Sequence, residues 1–192
     1  MFNYKNNIIY HTKKKLGQNF LINEKIIEEI INFIKIKKNT HLIEIGPGYG
    51  SLTKKIYNFL NKFYLIELDN ELYSILKKKY IKNKNIIIYN ANILNINFKQ
   101  IINKKITIIG NLPYNISLKI INHLTRYINI IKYTKIMIQK EVYERINSLP
   151  NKKKYNDLSL IIQLNYKIIN LMNLNNKCFY PQPSINSNFI QL

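Results

Sequence analysis

The sequence predicts a single α/β domain built on a mostly parallel β-sheet. Short apolar runs alternate with longer stretches in which apolar residues recur at helical spacing, and a cluster of glycines follows the first apolar run. Strands that alternate with helices are typical of parallel sheets with helices packed on their faces. A chain of 192 residues, of which 46% are hydrophobic, is long enough to bury a sizeable core within one domain.

The elements are predicted in order along the chain. We interpret residues 1–15 as a basic, flexible N-terminal arm and residues 16–192 as the domain. Asn23 is a suitable N-cap for the first helix, because an asparagine side chain can accept the backbone N–H groups there. The predicted helices are Glu24–Ile36, Ser51–Leu60, Asn70–Tyr80 and Ile116–Ile130. The predicted strands are His41–Ile45, Phe63–Glu67, Ile86–Tyr89, Ile106–Ile109 and Lys135–Gln139.

The last part of the chain changes character after a polar loop over Leu149–Asp157. Leu158–Leu171 and Ile185–Leu192 are apolar and rich in isoleucine. We predict that they are two final strands, an antiparallel pair that closes the sheet, with a helix as the open alternative for the first of them. The sequence shows no internal repeat and no second domain.

The charge of the chain favours a polyanionic partner. Thirty Lys and Arg against ten Asp and Glu give a formal net charge of +20, and binding to phosphates would release counterions. Only Arg126 and Arg145 are arginine, and the heavy use of Lys, Asn and Ile is also typical of AT-biased codons. Anionic membranes would suit the same charge, but no apolar run is long enough to span a bilayer.

Cysteine and histidine usage excludes several kinds of site. Cys178 is the only cysteine, so an intrachain disulfide is impossible, and a reducing cytoplasm fits. His11, His41 and His123 have no ligand spacing, and we predict no metal site. Residues 1–15 lack the apolar core of a secretory signal.

Glycines and one acidic residue predict a site for an adenosine-containing cofactor. Gly46, Gly48 and Gly50 follow a predicted strand and open a helix, where glycine permits a tight turn and close approach of a ligand to the backbone. The next strand ends at Glu67, about 20 residues after Gly46, and an acidic residue at that distance can accept hydrogen bonds from ribose hydroxyls.

The spacing of the glycines favours S-adenosylmethionine over a dinucleotide. NAD-type loops read G-x-G-x-x-G, whereas the glycines here read G-x-G-x-G. A pyrophosphate is bound by bare N–H groups at a helix N-terminus, where the carboxylate of Glu44 would repel it. S-adenosylmethionine has no phosphate and carries a sulfonium cation, which a carboxylate attracts. A NAD-dependent dehydrogenase is therefore a distant alternative.

The segment Gly110-Asn111-Leu112-Pro113-Tyr114 predicts methylation of an adenine amine. Without a function it would be a turn, since Asn and Pro favour turns. The exocyclic amine of adenine is a poor nucleophile because its lone pair is delocalised into the ring. The side-chain oxygen of Asn111 and the carbonyl of Leu112 could accept its two N–H bonds and localise that lone pair. Tyr114 offers a face for the base to stack on.

The ordered set of motifs resembles the ribosomal RNA adenine dimethyltransferases of the KsgA type. The resemblance covers about residues 13–192, nearly the whole chain, and depends on the order of the motifs more than on any one of them. The motifs are Leu16-Gly17-Gln18-Asn19-Phe20-Leu21, the glycine loop, Glu67, Asn111-Leu112-Pro113-Tyr114, Gln139-Lys140-Glu141-Val142 with Arg145, Tyr155 with Leu158-Ser159, and Phe179-Tyr180-Pro181-Gln182-Pro183.

The resemblance implies a fold, a reaction and a partner. It implies a class I S-adenosylmethionine-dependent methyltransferase with a Rossmann-like sheet of seven strands. It implies dimethylation at N6 of two adjacent adenosines near the 3′ end of small-subunit ribosomal RNA, in a partly assembled small subunit. We expect a cytoplasmic monomer that takes part in ribosome biogenesis.

The loop chemistry and the resemblance together assign the site residues. Those predicted to bind the cofactor are Asn19, Leu21, Glu44, Gly46, Gly48, Glu67, Asn92 and Asn111. Those predicted to act on the target base are Asn111, Leu112, Pro113, Tyr114 and Phe179. In this assignment Asn111 holds the amine, while the rings of Tyr114 and Phe179 sandwich the adenine.

The chain departs from the family pattern in two places. Asn92 stands where the family has an aspartate that accepts a bond from the adenine of the cofactor, so we expect weaker binding, since neutral hydrogen bonds are roughly half as strong as charge-assisted ones. The family also continues into a small helical C-terminal domain, whereas this sequence ends at Leu192. Both features favour one alternative, an assembly factor without methylation. A large-subunit methyltransferase is the other, although that class usually has Ile at the position of Leu112.

Overall fold

A computed structural model describes residues 4–5, 8–9 and 11–192 of the chain. Residues 1–3, 6–7 and 10 of the predicted arm lie outside the described residues, and the flexibility of the arm stays a prediction. The first two strands, β1 (Tyr4–Lys5) and β2 (Ile8–Ile9), form an antiparallel pair.

Seven strands form the main sheet, in the order β6-β5-β4-β7-β8-β11-β9. All pairs from β6 to β8 are parallel, and β11 is antiparallel to both of its neighbours. This confirms the predicted mostly parallel sheet with an antiparallel closing strand. The remaining strands, including the small pair β3 with β10, are β3 (Phe20–Leu21), β4 (His41–Ile45), β5 (Phe63–Glu67), β6 (Ile86–Asn90), β7 (Ile106–Asn111), β8 (Ile131–Gln139), β9 (Ile169–Leu174), β10 (Phe179–Tyr180) and β11 (Ser187–Gln191).

Helices lie between most of the strands, as the alternating pattern predicts. Asn23 caps the first helix as expected, because its side chain accepts the N–H of Ile26 at 3.2 Å. The helices are α1 (Glu24–Ile34), α2 (Thr53–Ile56), α3 (Asn70–Lys79), α4 (Phe98–Ile101), α5 (Ser117–Thr125), α6 (Lys140–Ile146) and α7 (Asp157–Asn165).

The predicted strand over Leu158–Leu171 is wrong for its first half, where the helical alternative is right. The side chain of Asn156 accepts the N–H of Ser159, and the hydroxyl of Ser159 accepts the N–H of Asn156. This reciprocal capping box starts α7, and the strand begins only at Ile169. The helices α4 and α6 were not predicted, and α5 ends at Thr125, five residues before the predicted end.

The sheet separates two apolar clusters. One face packs against residues of α4, α5, α6 and α7, and the other packs against α1 and α2. In β4 the side chains alternate between them, with Ile43 and Ile45 in the first cluster and Leu42 in the second. Strands buried on both faces are typical of parallel sheets. Among the described residues, no helix is long and apolar enough to cross a membrane.

We expect Gly110→Ala to destabilise the fold, because β4 and β7 pass too close for a side chain there. Gly110 pairs with Ile45, and a Cβ built on Gly110 would lie 2.5 Å from the carbonyl oxygen of Ile45. That atom belongs to the backbone, so two strands must separate to admit the methyl group. The loss of unfolding free energy should be about 1–3 kcal/mol, measured by denaturant unfolding. Unchanged stability would show that the strands separate at no cost.

Candidate active site

A cavity of about 270 Å³ opens at the carboxyl ends of the central parallel strands. Its walls come from the loops after β4, β5, β6 and β7 and from residues 15–20. Open α/β sheets bind their ligands at this edge, at the point where the strand order reverses. Eight of the predicted site residues line the cavity: Asn19, Gly46, Gly48, Glu67, Asn92, Asn111, Leu112 and Pro113.

The glycine loop is held by hydrogen bonds to β5. The N–H of Gly46 donates to the carbonyl of Ile66 at 2.9 Å, and the N–H of Gly48 donates to Oε2 of Glu67 at 3.0 Å. Gly48 has a φ of +59°, and a Cβ there would lie 2.9 Å from the ring of Phe20. The loop therefore needs glycine at this position for both its conformation and its close contact with the ring.

Glu67 is buried at the cavity wall and has both carboxylate oxygens anchored. Besides the bond to Gly48, its Oε1 accepts the N–H of Asp69 at 2.9 Å. Burial raises the pKa of Glu67, and the bonds from Asp69 and Gly48 partly oppose this by stabilising the charged form. A carboxylate has about four lone-pair sites, so each oxygen retains the capacity to accept a ligand hydroxyl.

Asn92 lies at the cavity just beyond β6. Its side-chain oxygen accepts the N–H of Leu94 at 3.0 Å, which starts a short 3₁₀ turn. An amide oxygen has two lone pairs, so one remains for a ligand. The uncharged side chain thus keeps the local turn that the expected aspartate would also make.

Asn111 ends β7 with a side-chain orientation that suits an amine ligand. Its Nδ2 donates to the carbonyl of Asn19 at 2.5 Å, and its Oδ1 is buried without a hydrogen-bond partner. Because the carbonyl of Asn19 can only accept, the bond fixes which end of the amide is the nitrogen. An unpaired amide oxygen can accept a hydrogen bond from a ligand N–H, and leaving it unpaired costs free energy.

Four predicted site residues do not line this cavity. Leu21 and Glu44 lie beside a smaller space of about 20 Å³ under the glycine loop. Tyr114 is partly buried, with its hydroxyl 2.7 Å from Oγ of Ser187. Phe179 is 2% exposed and packs in the second apolar cluster, in register with Leu21. In this conformation the rings of Tyr114 and Phe179 therefore do not face the cavity, where they could stack on a base.

Glu44 is an acidic residue whose side chain is almost fully buried. Its Oε2 accepts the hydroxyl of Thr53 at 2.6 Å. Burial raises the pKa of Glu44 to about 8, and the nearby charge of Glu67 adds to this, while the bond from Thr53 opposes it. Burial thus favours the protonated form of Glu44, and a cation brought close to it would favour its ionised form.

We expect Glu44→Gln to change how stability depends on pH. An acid whose pKa is higher in the folded chain binds its proton preferentially when folded, so its stabilising contribution is largest below about pH 4.5 and is lost towards about pH 8. Glutamine does not titrate. Between about pH 5 and pH 8 the wild type should therefore lose stability relative to the variant. Denaturant unfolding of both proteins across this range measures the difference, and parallel profiles would contradict the raised pKa.

Residues that the sequence did not assign to the site connect its walls. Asp69 is 4% exposed and accepts hydrogen bonds from Lys13 and Gln18. The ring of Phe20 lines the cavity and meets the ring of Tyr49 edge-on, with centroids 4.9 Å apart. The sequence alone gives no reason to assign Asp69 to the site, because an aspartate at that position is also an ordinary N-cap for α3.

Comparison with known proteins identifies the family. Residues 9–192 match the family described as ribosomal RNA adenine dimethylase. The chain belongs to this family. The Ribosomal RNA small subunit methyltransferase A of Blochmanniella floridana is 42% identical over 191 residues, covering 98% of this chain and 69% of the relative. That of Buchnera aphidicola subsp. Acyrthosiphon pisum is 44% identical over 182 residues, with 93% and 66% covered. The chain thus spans about two thirds of the length of these relatives.

Solved structures show the same fold. A dimethyladenosine transferase from Plasmodium falciparum has a TM-score of 0.78 at 28% identity, covering 90% of this chain and 62% of that one. The 23S rRNA methyltransferase ErmE has a TM-score of 0.77 at 20% identity, covering 90% and 68%, and shows the fold alone. These findings confirm the class I methyltransferase fold, the resemblance, and S-adenosylmethionine as the methyl donor of the family.

Proposed function

We propose that this chain dimethylates N6 of two adjacent adenosines near the 3′ end of small-subunit ribosomal RNA, with S-adenosylmethionine as the donor. The observation that carries the proposal is the buried, unpaired Oδ1 of Asn111 at the wall of the cavity. The names of the relatives support the small subunit as the target. We further propose a cytoplasmic monomer that acts on a partly assembled subunit.

The residues around the cavity fit the cofactor. S-adenosylmethionine supplies an electrophilic methyl group on a sulfonium. Glu67 would accept hydrogen bonds from the ribose hydroxyls, and the free lone pair of Asn92 would accept one from the adenine amine. The backbone at Gly46 leaves room for the methionine end, since a Cβ there would meet no atom closer than 3.8 Å.

Asn111 would activate the target amine by accepting one of its N–H bonds. The carbonyl of Leu112 would accept the second, so that the lone pair points away from the ring and towards the methyl group. No strong general base is required, because the amine loses its proton readily once the methyl group is attached. The target base must first leave its stack, and contact with Tyr114 or Phe179 requires their surroundings to shift from the buried arrangement.

The net charge of +20 suits a ribosomal substrate. Lysine contacts phosphates without reading the sequence of bases. The charge would therefore hold the chain on RNA, while the choice of adenosine would depend on the shape of the subunit around the cavity. Binding should weaken steeply as salt concentration rises, since each phosphate contact releases counterions.

The test is transfer of labelled methyl groups to small ribosomal subunits that lack the modification, followed by base analysis. Incorporation as N6,N6-dimethyladenosine supports the proposal in full. The Asn111→Ala protein serves as the matched control for contaminating methyltransferases. Large subunits serve as the control for the second candidate class, and incorporation there alone would overturn the proposed target. A folded protein that binds small subunits without incorporation would be an assembly factor instead.

A further inference from the structure

The carboxylate of Asp69 collects hydrogen bonds from a distant part of the chain. Its Oδ2 accepts Nε2 of Gln18 at 2.9 Å, and its Oδ1 accepts Nζ of Lys13 at 2.8 Å and the N–H of Glu71 at 3.0 Å. The side chain is almost fully buried, and its own N–H holds Oε1 of Glu67. Asp69 therefore joins residues 13–18 to the carboxylate at the cofactor wall.

Gln18 uses both ends of its side chain in this arrangement. While its Nε2 donates to Asp69, its Oε1 accepts the backbone N–H of Lys13 at 2.7 Å. The side chain therefore closes the turn over residues 13–18 and attaches that turn to α3 at the same time. The Lys13 side chain is 40% exposed, and its ammonium also contacts the exposed Glu71, so its contribution is screened by salt. Gln18 is an uncharged donor, so its bond to Asp69 should be less sensitive to salt than the ion pair of Lys13.

The residue after Gln18 touches the other half of the site. The carbonyl of Asn19 accepts Nδ2 of Asn111, a residue that lines the cavity, and this bond fixes the orientation of its side-chain amide. Gln18 and Asn19 together thus connect Glu67, by way of Asp69, with the amide that receives the target base. We call residues 13–21 the lid segment.

We propose that Gln18 is a positioning residue that couples the cofactor wall to the orientation of the Asn111 amide. With Gln18 bonded to Asp69, the lid segment lies over the cavity and the carbonyl of Asn19 holds the amide for catalysis. When that bond is lost, the part of the lid segment before β3 is attached to Asp69 through Lys13 alone, and the carbonyl of Asn19 no longer holds the Asn111 amide in one orientation. The inference rests on the proposed function for its catalytic readout only.

Two substitutions at Gln18 test the coupling. Gln18→Leu removes the donor and should raise the dissociation constant for S-adenosylmethionine and lower kcat at saturating cofactor, each about tenfold, the effect of one hydrogen bond to a charged group. Gln18→Glu places a second carboxylate against Asp69, so it should raise the dissociation constant further and lower kcat further. Gln100→Glu, on an exposed glutamine of α4, is the matched control for the change of charge and should leave both unchanged.

The pH profile separates positioning from a loss of folding. As pH falls, the pair of carboxylates should take up one proton, and the new O–H should donate across the contact as the amide did. Activity of Gln18→Glu relative to wild type should therefore recover at low pH, whereas that of Gln18→Leu should not. Thermal unfolding of each variant controls for folding.

Three outcomes overturn the proposal. The first is a kcat for Gln18→Leu equal to that of wild type at saturating cofactor, which would confine Gln18 to cofactor binding. The second is an identical pH profile for the two variants. The third is unchanged cofactor affinity in both. Calorimetry with S-adenosylmethionine needs no RNA, so it decides the third outcome even if small subunits are not the substrate.

Discussion

Replacing Asn111 by alanine should lower the rate of methyl transfer by about 10²–10³-fold, the effect of removing one preorganised polar group from a reacting centre. The affinity for S-adenosylmethionine should change by less than about tenfold, since only one hydrogen bond to the lid segment is lost. The separation of these two effects is what distinguishes a residue that holds the target base from one that holds the cofactor.

The physical reason lies in the unpaired Oδ1 of Asn111. Among the protein's own groups this oxygen is buried without a partner, which lowers the stability of the fold, and a hydrogen bond from the amine would offset that loss. The amide is oriented in advance by the carbonyl of Asn19. Alanine removes the acceptor, so the lone pair of the amine would stay delocalised into the adenine ring.

Single-turnover assays on small subunits would measure the rate, and calorimetry would measure the cofactor affinity. Asn111→Asp is an informative second variant, because it retains an acceptor but turns a carboxylate towards the carbonyl of Asn19. It should also lose activity, and part of that loss should appear as weaker cofactor binding. Full activity in Asn111→Ala, or a loss of cofactor affinity as large as the loss of rate, would contradict the role assigned here.

The sequence predicts the sheet well because its central strands carry a strong local signal. His41–Ile45 and Phe63–Glu67 are apolar runs that end at a glycine or an acid, and both match the structure residue for residue. The failure over Leu158–Leu171 has a local cause too. That apolar run has no clear period, and the start of α7 depends on side-chain bonds between Asn156 and Ser159 rather than on hydrophobicity.

The sequence predicts the site residues that lie at the ends of strands. It does not predict the contacts that join segments far apart in the chain. Glu67 and Asn111 lie at strand ends, so the parallel topology alone brings them to one edge. The bond between Gln18 and Asp69 joins residues 51 positions apart, and no spacing rule anticipates it. The resemblance to the family assigns Phe179 to contact with the target base, yet its neighbours in the structure are core residues.

Replacing Glu67 by alanine should weaken binding of S-adenosylmethionine by about 10²-fold, because a buried charged acceptor is worth more than a neutral one. The loss has two sources. The ribose hydroxyls lose their acceptor, and the N–H groups of Gly48 and Asp69 lose theirs. Calorimetry measures the affinity, and unchanged affinity would remove Glu67 from the site.

Glu67→Gln shows which of the two sources dominates. Glutamine keeps the size of the side chain but presents an NH₂ group on one side, so it can accept from Gly48 or from Asp69 but not from both. If loop geometry dominates, Gln and Ala should weaken binding alike, whereas a smaller effect of Gln would assign most of the loss to the ribose bond. Glu29→Gln, on an exposed residue of α1, controls for the lost charge.

Since burial raises the pKa of Glu67, wild-type affinity for S-adenosylmethionine should fall as pH is lowered and this carboxylate gains its proton. The Glu67→Gln variant should lack that dependence.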